Sequence, residues 1–458
     1  MSVRPFLRRL KTDKHLNIQS VLMHLQHLQG LVYLHHQNAP IIGFLPQSFW
    51  SIQKGTIHRS KRESFTHYST QIAHHFNDFK DYLKTNPTSP TTNLEFTGGM
   101  IGFVSYDYAA QQHITLQQHP EQLSAFFGLY FSFLKYEKNA WYFYSYENNA
   151  EQLYEYLQAL IHQKPQITFA LKTACKARWS KEHYQHAFDQ VQNYIKAGDC
   201  YQINLTQEFT ATAQGLLLDT AEDFWQLTNA PYSGYLKIDD FELLSCSPEL
   251  FIEFDTDRKI LTKPIKGTMP RYDDPILDEQ SKNTLIHSKK DQAENVMIVD
   301  LLRNDLSVYA EIGSVKTPKL FNIESFNQVH HMVSEVTATL KENINPFEML
   351  LSALPGGSIT GAPKIRAMQI IDELEGAPRG AYCGSMGYFN FDGTGCWNIL
   401  IRSIQKYQDN VSIWAGGGIT IASDCDAEYQ ECFDKVSAML DLLNTWYQPE
   451  KNQEKSES

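Results

Sequence analysis

The chain has 458 residues, 42% of them hydrophobic, and a formal net charge of −12. It can bury a large core, and no run approaches the roughly 18 apolar residues that a membrane-spanning helix requires. The acidic charge argues against a nucleic-acid partner, which would favour a basic face. The seven cysteines are scattered and include no Cys-x-x-Cys pair, which indicates neither disulfides nor zinc. We therefore expect a cytoplasmic protein without nucleic-acid or membrane partners.

The first 170 residues carry few chemical signals. Short apolar runs, for example at 30–35 and 140–145, alternate with polar turns and predict strands. The segment 84–93 is rich in threonine, asparagine and proline, which predicts a loop. We expect an N-terminal region at 1–170, a catalytic region at 171–447 and a disordered tail at 448–458.

The signals sharpen after residue 180. Ser180 is placed to cap a helix and Gly198 to end it. The apolar residues between them fall on one helical stripe: Tyr184, Phe188, Val191 and Ile195. The alternation at 201–206 predicts a strand, and further strands are expected at 243–254 and 411–415. With helices at about 288–303 and 426–443, the pattern indicates an α+β protein.

Two single residues, Glu249 and Lys266, stand in segments where they could take part in catalysis. Glu249 follows a proline within an apolar run, where burial would raise its pKa and make it a general acid. The alternative is an exposed glutamate at a sheet edge. Lys266 precedes Gly267, and partial burial would lower its pKa towards nucleophilic competence. The alternative is a solvated surface cation.

Carboxylates recur on two predicted helices. Asp291 and Glu294 lie three residues apart, so they share one helical face beside an apolar stretch. Glu428, Glu431 and Lys435 form a second stripe near the C-terminus. Acids that point into an interior need a cation, and oxygen ligands of this kind suit Mg²⁺. The alternatives are a polar first helical turn and a surface Glu431–Lys435 pair.

Two glycine-rich segments, 354–364 and 414–419, predict turns. Consecutive glycines let backbone N–H groups converge on an anion without obstruction by side chains. The spacing of a phosphate-binding loop is absent, and turns that bind no ligand remain the alternative.

Together and in this order, the segments between about residues 175 and 445 resemble the chorismate-utilising enzyme family. The family contains enzymes that make anthranilate, aminodeoxychorismate, isochorismate or salicylate. The resemblance implies an α+β fold, with one large unit in which two orthogonal antiparallel β-sheets form a sandwich flanked by helices. It also implies a site deep between the sheets, and chorismate as the substrate.

The resemblance implies a magnesium site. Glu294 and Glu431 are expected to bind Mg²⁺, with Glu428 and Asp291 nearby, and the metal is expected to bind the ring carboxylate of chorismate. Lys435 would add a cation beside the metal. The resemblance thus implies that local positive charge offsets the repulsion between an acidic protein and a dianionic substrate.

Further roles are implied for groups around the substrate. Arg402 and Tyr382 are expected at the pyruvyl carboxylate, together with backbone amides of three consecutive glycines: Gly416, Gly417 and Gly418. His331, Ser358 and Thr268 are expected to position the ring and the C4 oxygen, and Gln202 is also expected to contact the substrate. Glu249 is expected to protonate the departing C4 hydroxyl.

Two positions distinguish reactions within the family. Gln202 stands where the water-using members carry a lysine base, which favours ammonia as the nucleophile. Lys266 stands where anthranilate-forming members resemble Pro-Ile-Ala-Gly-Thr, and a lysine there is typical of amination at C4. We expect 4-amino-4-deoxychorismate as the product, with anthranilate formation and a non-catalytic chorismate-binding protein as alternatives.

The chain has no Gly-x-Cys-x-Gly glutaminase motif. Free ammonia is scarce near neutral pH because ammonium predominates. We therefore expect a separate glutamine amidotransferase subunit to supply ammonia.

Overall fold

The computed structural model describes residues 4–12, 16–35, 40–74, 95–162, 168–325 and 329–449. Eleven α-helices occur in this part of the chain: α1 (Ile18–Leu25), α2 (Tyr106–Ala110), α3 (Ala150–Ile161), α4 (Lys181–Ala197), α5 (Ala221–Thr228), α6 (Pro275–Ile286), α7 (Lys289–Ser307), α8 (Pro346–Ala353), α9 (Lys364–Glu375), α10 (Cys425–Asp434) and α11 (Ser437–Asn444). The predicted loop at 84–93 and most of the predicted tail lie outside the described residues.

Thirteen strands form the first sheet: β1 (Phe6–Arg9), β2 (Leu31–Leu34), β3 (Ile41–Gly43), β9 (Ser132–Glu137), β10 (Ala140–Ser145), β11 (Ala170–Leu171), β12 (Lys176–Ala177), β13 (Gln202–Gln214), β14 (Tyr232–Ile238), β15 (Phe241–Ser247), β21 (Gly361–Ala362), β24 (Ser403–Tyr407) and β25 (Asn410–Ile419). Its order is β1-β10-β9-β3-β2-β14-β15-β24-β25-β13-β11, and β12 and β21 also pair with β13.

Twelve strands form the second sheet: β4 (Ser48–Gln53), β5 (Thr56–Ser64), β6 (His67–Ala73), β7 (Gly99–Val104), β8 (Leu123–Tyr130), β16 (Leu250–Phe254), β17 (Lys259–Thr262), β18 (Ile265–Pro270), β19 (Lys316–Ser325), β20 (Val329–Thr339), β22 (Ser385–Asn390) and β23 (Gly395–Asn398). Its order is β18-β20-β17-β16-β23-β22-β7-β8-β4-β5-β6, with β19 on β20.

Antiparallel pairing joins neighbouring strands in both sheets, for example β13 with β25 and β18 with β20. Each sheet contains strands from before and from after residue 170. The expected α+β fold with two large antiparallel sheets is confirmed. None of the helices in the described ranges is long and apolar enough to cross a membrane.

The helix predicted after Ser180 is confirmed as α4. The Ser180 side chain accepts a hydrogen bond from the backbone N–H of His183, and Gly198 ends the helix with a φ of +85°. Tyr184 and Val191, on the predicted stripe, are fully buried. The strand predicted next is β13, which pairs with β25 over ten residues. The local sequence was sufficient here. The residues that cap the helix, and the change from helical to alternating spacing of the apolar residues, all occur within one short segment.

Two predicted elements are divided in the structure. The strand expected at 243–254 is two strands, β15 and β16, which belong to different sheets. The chain crosses between the sheets at Pro248 and Glu249, where proline cannot donate to a strand ladder. The helix expected at 426–443 is also two helices, α10 and α11, because Val436 leaves the helical region (φ −130°, ψ 2°). The prediction of one continuous element was wrong in both places.

Helices α7 and α10 carry the acidic residues singled out in the sequence. Helix α7 packs against β18 and β20 of the second sheet, whereas α10 packs against β25 of the first. The side chains of Ser288 and Asp424 cap α7 and α10, respectively. The two sheets therefore bring the two acidic helices to one pocket.

Candidate active site

A pocket with a volume of about 800 Å³ receives residues from both sheets. It brings together fourteen of the fifteen residues that the sequence predicted for the site: Glu249, Lys266, Thr268, Glu294, His331, Ser358, Tyr382, Arg402, Gly416, Gly417, Gly418, Glu428, Glu431 and Lys435. Asp291 also lines it. These residues come from distant parts of the chain and converge in space.

Lys266 lies at an irregularity in the pairing of β18 with β20, where the register shifts between Ile265 and Thr268. Gly267 has a φ of +86°, and a Cβ atom there would lie 2.8 Å from Leu285 and 2.9 Å from Asp291. Only glycine adopts this conformation without strain in so little space. The irregularity directs Lys266 into the pocket, as β-bulges do elsewhere.

The electrostatics of Lys266 favour its neutral amine. Burial lowers the pKa of Lys266, and the positive charge of Lys435 lowers it further. The nearby carboxylates of Glu294, Glu249 and Glu431 act in the opposite direction but do not outweigh burial. A neutral amine has a free electron pair, so the lowered pKa shifts Lys266 towards the form that a nucleophile needs.

Glu249 is 6% exposed and lies at the crossing between β15 and β16. Its backbone N–H donates to the Ser247 hydroxyl at 3.2 Å, and its carbonyl accepts from Ile399 N–H at 3.1 Å. Burial raises the pKa of Glu249 to about 7, whereas Lys266 and Lys435 lower it by less. Glu249 can therefore hold a proton near neutral pH, as the predicted general acid must.

Thr268 and His331 are cross-strand partners on β18 and β20. The Thr268 hydroxyl lies 2.8 Å from Nδ1 of His331. Burial lowers the pKa of His331 to about 4, and the charge of Arg402 contributes to the shift. At neutral pH the imidazole is therefore uncharged and is suited to hydrogen bonding rather than to ion pairing.

The acidic residues lie along one side of the pocket. Glu428 accepts a hydrogen bond from Ser423 Oγ at 2.7 Å, and Glu431 forms an ion pair with Lys435 at 2.6 Å. Burial raises the pKa of Glu428 and of Glu294, and the charge of Glu431 raises both further. Negative charge is therefore crowded at this side, and a bound cation would relieve the repulsion.

Within the described ranges, no three or more His, Cys, Asp or Glu side chains are grouped closely enough to hold a metal ion. Two acids of α10, Glu428 and Glu431, nevertheless lie close to each other over Gly417 of β25. A Cβ on Gly417 would lie 3.0 Å from Glu428 Oε2 and 3.1 Å from Glu431 Oε1. The donor chemistry and mutual repulsion of these carboxylates fit a hard cation, although Glu431 contacts Lys435 instead.

The second glycine-rich segment is not the predicted turn. Gly416, Gly417 and Gly418 belong to β25, where each pairs with a residue of β13. A Cβ on Gly416 would lie 2.1 Å from the Leu205 carbonyl, so close approach of the strands requires glycine there. The pairing of β24 with β25 ends at Ile413, so the glycines have a strand neighbour on the β13 side only.

Arg402 and Tyr382 supply the predicted groups for a carboxylate. Arg402 has a φ of +50° and lies directly before β24, and burial lowers its pKa. Tyr382 is 6% exposed and stacks on Trp414, with ring centroids 6.0 Å apart and planes at 13°. Because an arginine remains charged when buried, Arg402 supplies fixed positive charge to the pocket.

Gln202 is the predicted site residue that does not line the pocket. It is 1% exposed and lies behind Gly418, whose Cβ would be 1.9 Å from Gln202 Nε2. Its amide oxygen is buried without a hydrogen-bond partner in the described part of the chain. The prediction of a direct substrate contact for Gln202 therefore gains no support from the pocket geometry.

Among the pocket-lining residues that sequence reasoning overlooked, four carry polar side-chain groups: Asn204, Lys290, Trp414 and Asp434. The alternation along β13 puts Asn204 on the same strand face as Gln202, so this signal was available. Trp414 lies two residues before Gly416, but an aromatic residue in an apolar strand is usually part of the core. Its indole N–H is buried and has no hydrogen-bond partner among the described residues.

Comparisons with known proteins agree with this geometry. The model of the chorismate binding enzyme family matches residues 31–441. The chain therefore belongs to the family of chorismate binding enzymes.

Several curated relatives carry one name. Aminodeoxychorismate synthase component 1 of Klebsiella aerogenes is 42% identical over 364 residues, which cover 78% of this chain and 79% of the relative. The protein of the same name from Escherichia coli K12 is 48% identical over 282 residues, 61% of each chain. Anthranilate synthase component 1 1 of Haloarcula marismortui is 37% identical over 265 residues, 58% of this chain and 54% of the relative.

Solved structures share the fold. Anthranilate synthase component I from Streptococcus pneumoniae TIGR4 superposes with a TM-score of 0.76 at 24% identity, covering 88% of this chain and 92% of that one. The menaquinone-specific isochorismate synthase MenF from Escherichia coli gives a TM-score of 0.72 at 18% identity, covering 96% and 95%. The sheets described above are thus those of chorismate-utilising enzymes.

Proposed function

We propose that the chain is an enzyme that aminates chorismate at C4 with ammonia. The product would be 4-amino-4-deoxychorismate, the precursor of 4-aminobenzoate in folate biosynthesis. The observation that carries the proposal is the position of Lys266 in the pocket wall, where burial lowers the pKa of its amine from the ordinary value and so favours the nucleophilic form. The curated relatives named aminodeoxychorismate synthase component 1 support the same reaction.

Lys266 and Glu249 would perform the first displacement. The Lys266 amine attacks C2 of chorismate, the two ring double bonds shift, and the C4–O bond breaks. The departing hydroxyl takes the proton of Glu249 and leaves as water. Burial raises the pKa of Glu249 and lowers that of Lys266, so both shifts favour the protonation state that each role requires.

Ammonia would perform the second displacement. It adds at C4, the double bonds shift back, and the C2–N bond breaks to release Lys266 as a neutral amine. The ammonium group formed at C4 returns one proton to Glu249. The sum of both steps is chorismate plus ammonia giving 4-amino-4-deoxychorismate plus water, with both side chains restored.

The other side chains would bind and orient the substrate. Arg402 and Tyr382 receive the pyruvyl carboxylate, and the backbone of the Gly416–Gly418 segment lies beside them in the pocket wall. The neutral His331, with the Thr268 hydroxyl 2.8 Å from its Nδ1, is suited to hydrogen-bond the substrate at C4. Because most of these groups lie on strands or at strand ends, and the Tyr382 ring stacks on Trp414 of β25, the site is largely held in shape before binding.

We propose that a magnesium ion binds at the acidic side of the pocket, where the carboxylates would have to move closer together to hold it. Glu294, Glu428 and Glu431 would hold it, and Lys435 would exchange its contact with Glu431 for one with the substrate. When bound, Mg²⁺ supplies positive charge that neutralises the ring carboxylate of chorismate. The burial and mutual repulsion of the carboxylates support this assignment.

We also propose a separate glutamine amidotransferase subunit as the source of ammonia, acting with this chain in the cytoplasm. The name component 1 of the relatives supports a second component. The absence of a Gly-x-Cys-x-Gly motif fits a chain that receives ammonia rather than releasing it from glutamine.

Anthranilate formation is the alternative reaction, and the 37% identity to an anthranilate synthase component is the observation in its favour. Direct attack of ammonia at C2 would lead to that product and would need no lysine nucleophile. Lys266 in the pocket favours C4 amination. A non-catalytic binding protein would not require an acid and an amine with opposed pKa shifts.

The test incubates the purified chain with chorismate, Mg²⁺ and ammonium chloride at mildly alkaline pH, followed by a purified aminodeoxychorismate lyase. We expect 4-aminobenzoate only when both proteins are present. Fluorescent anthranilate without the lyase would replace the proposal by the alternative. A complete lack of turnover would favour the non-catalytic protein.

A further inference from the structure

A buried ion pair lies behind the deep wall of the pocket. Arg379 and Glu375 are each 1% exposed. Arg379 Nε donates to Glu375 Oε2 at 2.8 Å, and Nη2 donates to Glu375 Oε1 at 2.7 Å. Neither residue lines the pocket. The two parallel bonds hold the guanidinium group in one plane.

The same guanidinium group binds two backbone carbonyls of the pocket wall. Nη2 donates to the Asn204 carbonyl at 2.7 Å, and Nη1 donates to the Ile359 carbonyl at 3.1 Å. The Asn204 side chain also donates to the Ile359 carbonyl, at 3.0 Å. Asn204, Ile359 and the adjacent Ser358 all line the pocket. Arg379 therefore joins β13 to the turn that carries Ser358.

A third part of the wall also lies against Arg379. Its guanidinium carbon is 5.7 Å from the ring centroid of Tyr382 and 4.6 Å from that of Tyr106. Tyr382 lines the pocket and stacks on Trp414, which lines it too. Contact between a cation and an aromatic face is attractive, particularly in a buried environment. Arg379 thus contacts three wall segments that are far apart in sequence.

Residues from other elements hold the Arg379 backbone in place. The Asp107 carboxylate accepts from Arg379 N–H at 3.2 Å and from Gly380 N–H at 2.7 Å. Gln405 Nε2 donates to the Arg379 carbonyl at 3.0 Å. On the other side, Glu375 Oε1 accepts from the Thr206 hydroxyl at 2.6 Å. Both ends of the ion pair are therefore anchored independently of any ligand.

We propose that Arg379 is a positioning residue for chorismate, which acts through Asn204, Ser358 and Tyr382 without touching the substrate. The proposal rests on the proposed function, because it assumes that chorismate occupies this pocket. The planar guanidinium group makes four hydrogen bonds, two to Glu375 and two to carbonyls, whereas a lysine ammonium has three donors and no planar arrangement of them. A variant that keeps the positive charge but lacks the planar guanidinium group would then misplace Asn204, Ser358 and Tyr382.

A stabilising role alone does not account for this pair. Removing two charges from water is costly, and well-packed apolar residues often stabilise a core as well as a buried ion pair does. The pair is better explained by the geometry that it imposes on the wall. Small displacements of groups that contact a substrate have large effects on binding and rate.

The test compares Arg379→Lys with Arg258→Lys as a matched control. Arg258 also donates to main-chain carbonyls, those of Leu340, Lys341 and Ile344, but it does not line the pocket or contact its wall segments. We measure the Kd for chorismate by calorimetry with Mg²⁺ and without ammonia, and the thermal midpoint of each variant. Arg379→Lys is expected to raise Kd about tenfold, whereas Arg258→Lys changes only the midpoint.

Thr206→Val is the milder variant in case Arg379→Lys does not fold. It removes one donor to Glu375 at nearly constant side-chain volume, and we expect Kd to rise about threefold, for the loss of a single buried hydrogen bond. Unchanged Kd in folded Arg379→Lys or in Thr206→Val would overturn the proposal. Wild-type protein that binds chorismate but makes no 4-amino-4-deoxychorismate would refute the proposed function, and the Kd comparison would still test Arg379.

Discussion

Lys266 and Glu249 influence each other's protonation in the pocket, and burial acts on the two in opposite directions. The charge of Glu249 raises the pKa of Lys266, and the charge of Lys266 lowers that of Glu249. Burial is the larger effect on both residues, so it lowers the pKa of the lysine and raises that of the glutamate. The buried pair is thereby shifted towards a neutral amine beside a protonated acid.

These opposed pKa shifts increase both the fraction of neutral Lys266 amine and the fraction of protonated Glu249 at the same pH. In water near neutrality a lysine is protonated and a glutamate is ionised, and neither could then act as proposed. Burial in the pocket weakens both preferences, because it raises the pKa of Glu249 to about 7 and lowers the pKa of Lys266. Opposed environments of this kind identify acid and base roles in enzymes generally.

Replacing Lys266 tests the covalent step. We expect Lys266→Met to lower kcat/KM for C4 amination about 100-fold or more, because it removes the proposed nucleophile. Some turnover is expected to shift to anthranilate, by direct attack of ammonia at C2. Both products are measured by chromatography.

Lys263→Met is the matched control for Lys266. Lys263 lies three residues earlier, forms ion pairs with Glu335 at 3.2 Å and Glu324 at 3.5 Å, and does not line the pocket. Its replacement is expected to leave the product and kcat/KM unchanged. The same rate and product in Lys266→Met as in wild type would contradict the nucleophile assignment.

The pH dependence tests Glu249. Because its pKa is raised to about 7, Glu249 loses its proton as pH rises through this value, and the acid for the C4 hydroxyl is lost. We expect kcat/KM for chorismate, at a fixed concentration of free ammonia, to fall above about pH 7. At fixed total ammonium, the growing fraction of free ammonia opposes this fall.

Glu253 provides the control for the pH profile. Burial raises the pKa of Glu253 to about 7 as well, but this residue does not line the pocket. Glu253→Gln is expected to keep the wild-type profile, whereas Glu249→Gln is expected to lose most activity. A wild-type profile that continues to rise across the neutral range at fixed free ammonia would be incompatible with Glu249 as the acid.

The local sequence predicted helices and strands well where the signals for their ends are local. Ser180 and Gly198 mark both ends of α4, and Ser288 marks the start of α7. The break between α10 and α11 has no such signal, because residues 426–443 contain no glycine or proline and the apolar spacing continues across it. That break depends on tertiary packing, which periodicity does not report.

Assembly of the site could be predicted only through the family resemblance. Glu249, Lys266 and Glu431 are far apart in sequence, and they meet because the two sheets, with helices on them, bring β18 and α10 to one pocket. Spacing contains no information of this kind. For Gln202 the local prediction was right and the site prediction gained no support. The residue lies on the predicted strand, but it lies behind Gly418 and does not line the pocket.

Magnesium dependence tests the carboxylates of α10. We expect Glu431→Gln to raise the Mg²⁺ concentration for half-maximal activity about tenfold or more, since it removes a charged oxygen ligand. Chorismate binding should weaken in parallel. Asp426→Asn is the control on the same helix, because Asp426 is exposed and pairs with Lys181. A wild-type Mg²⁺ titration for Glu431→Gln would rule out its ligand role.

The irregularity at Gly267 offers a test of how Lys266 is directed. Gly267→Ala and Gly313→Ala share the strain of a positive φ, about 1–2 kcal/mol. Only at Gly267 would the new Cβ meet Leu285 and Asp291, whereas at Gly313 nothing lies within 4 Å. We expect Gly267→Ala to lose activity and Gly313→Ala to keep it, in steady-state assays of folded protein. Equal activity in both variants would show that the direction of Lys266 does not depend on this glycine.

The source of nitrogen tests the predicted division of labour. We expect the purified chain to use ammonium salts alone, and to use glutamine only after a glutamine amidotransferase subunit is added. The measurement follows product formation with each nitrogen source. Glutamine use by the chain alone would contradict the need for a second subunit.

The position of the new nitrogen tests the central claim most directly. The purified chain is incubated with chorismate, Mg²⁺ and ¹⁵N-labelled ammonium chloride, and the product is analysed by mass spectrometry and by ¹⁵N-edited NMR. We predict a product that retains its pyruvyl group and carries ¹⁵N on C4. Label on C2 of an aromatic product, with release of pyruvate, would contradict C4 amination.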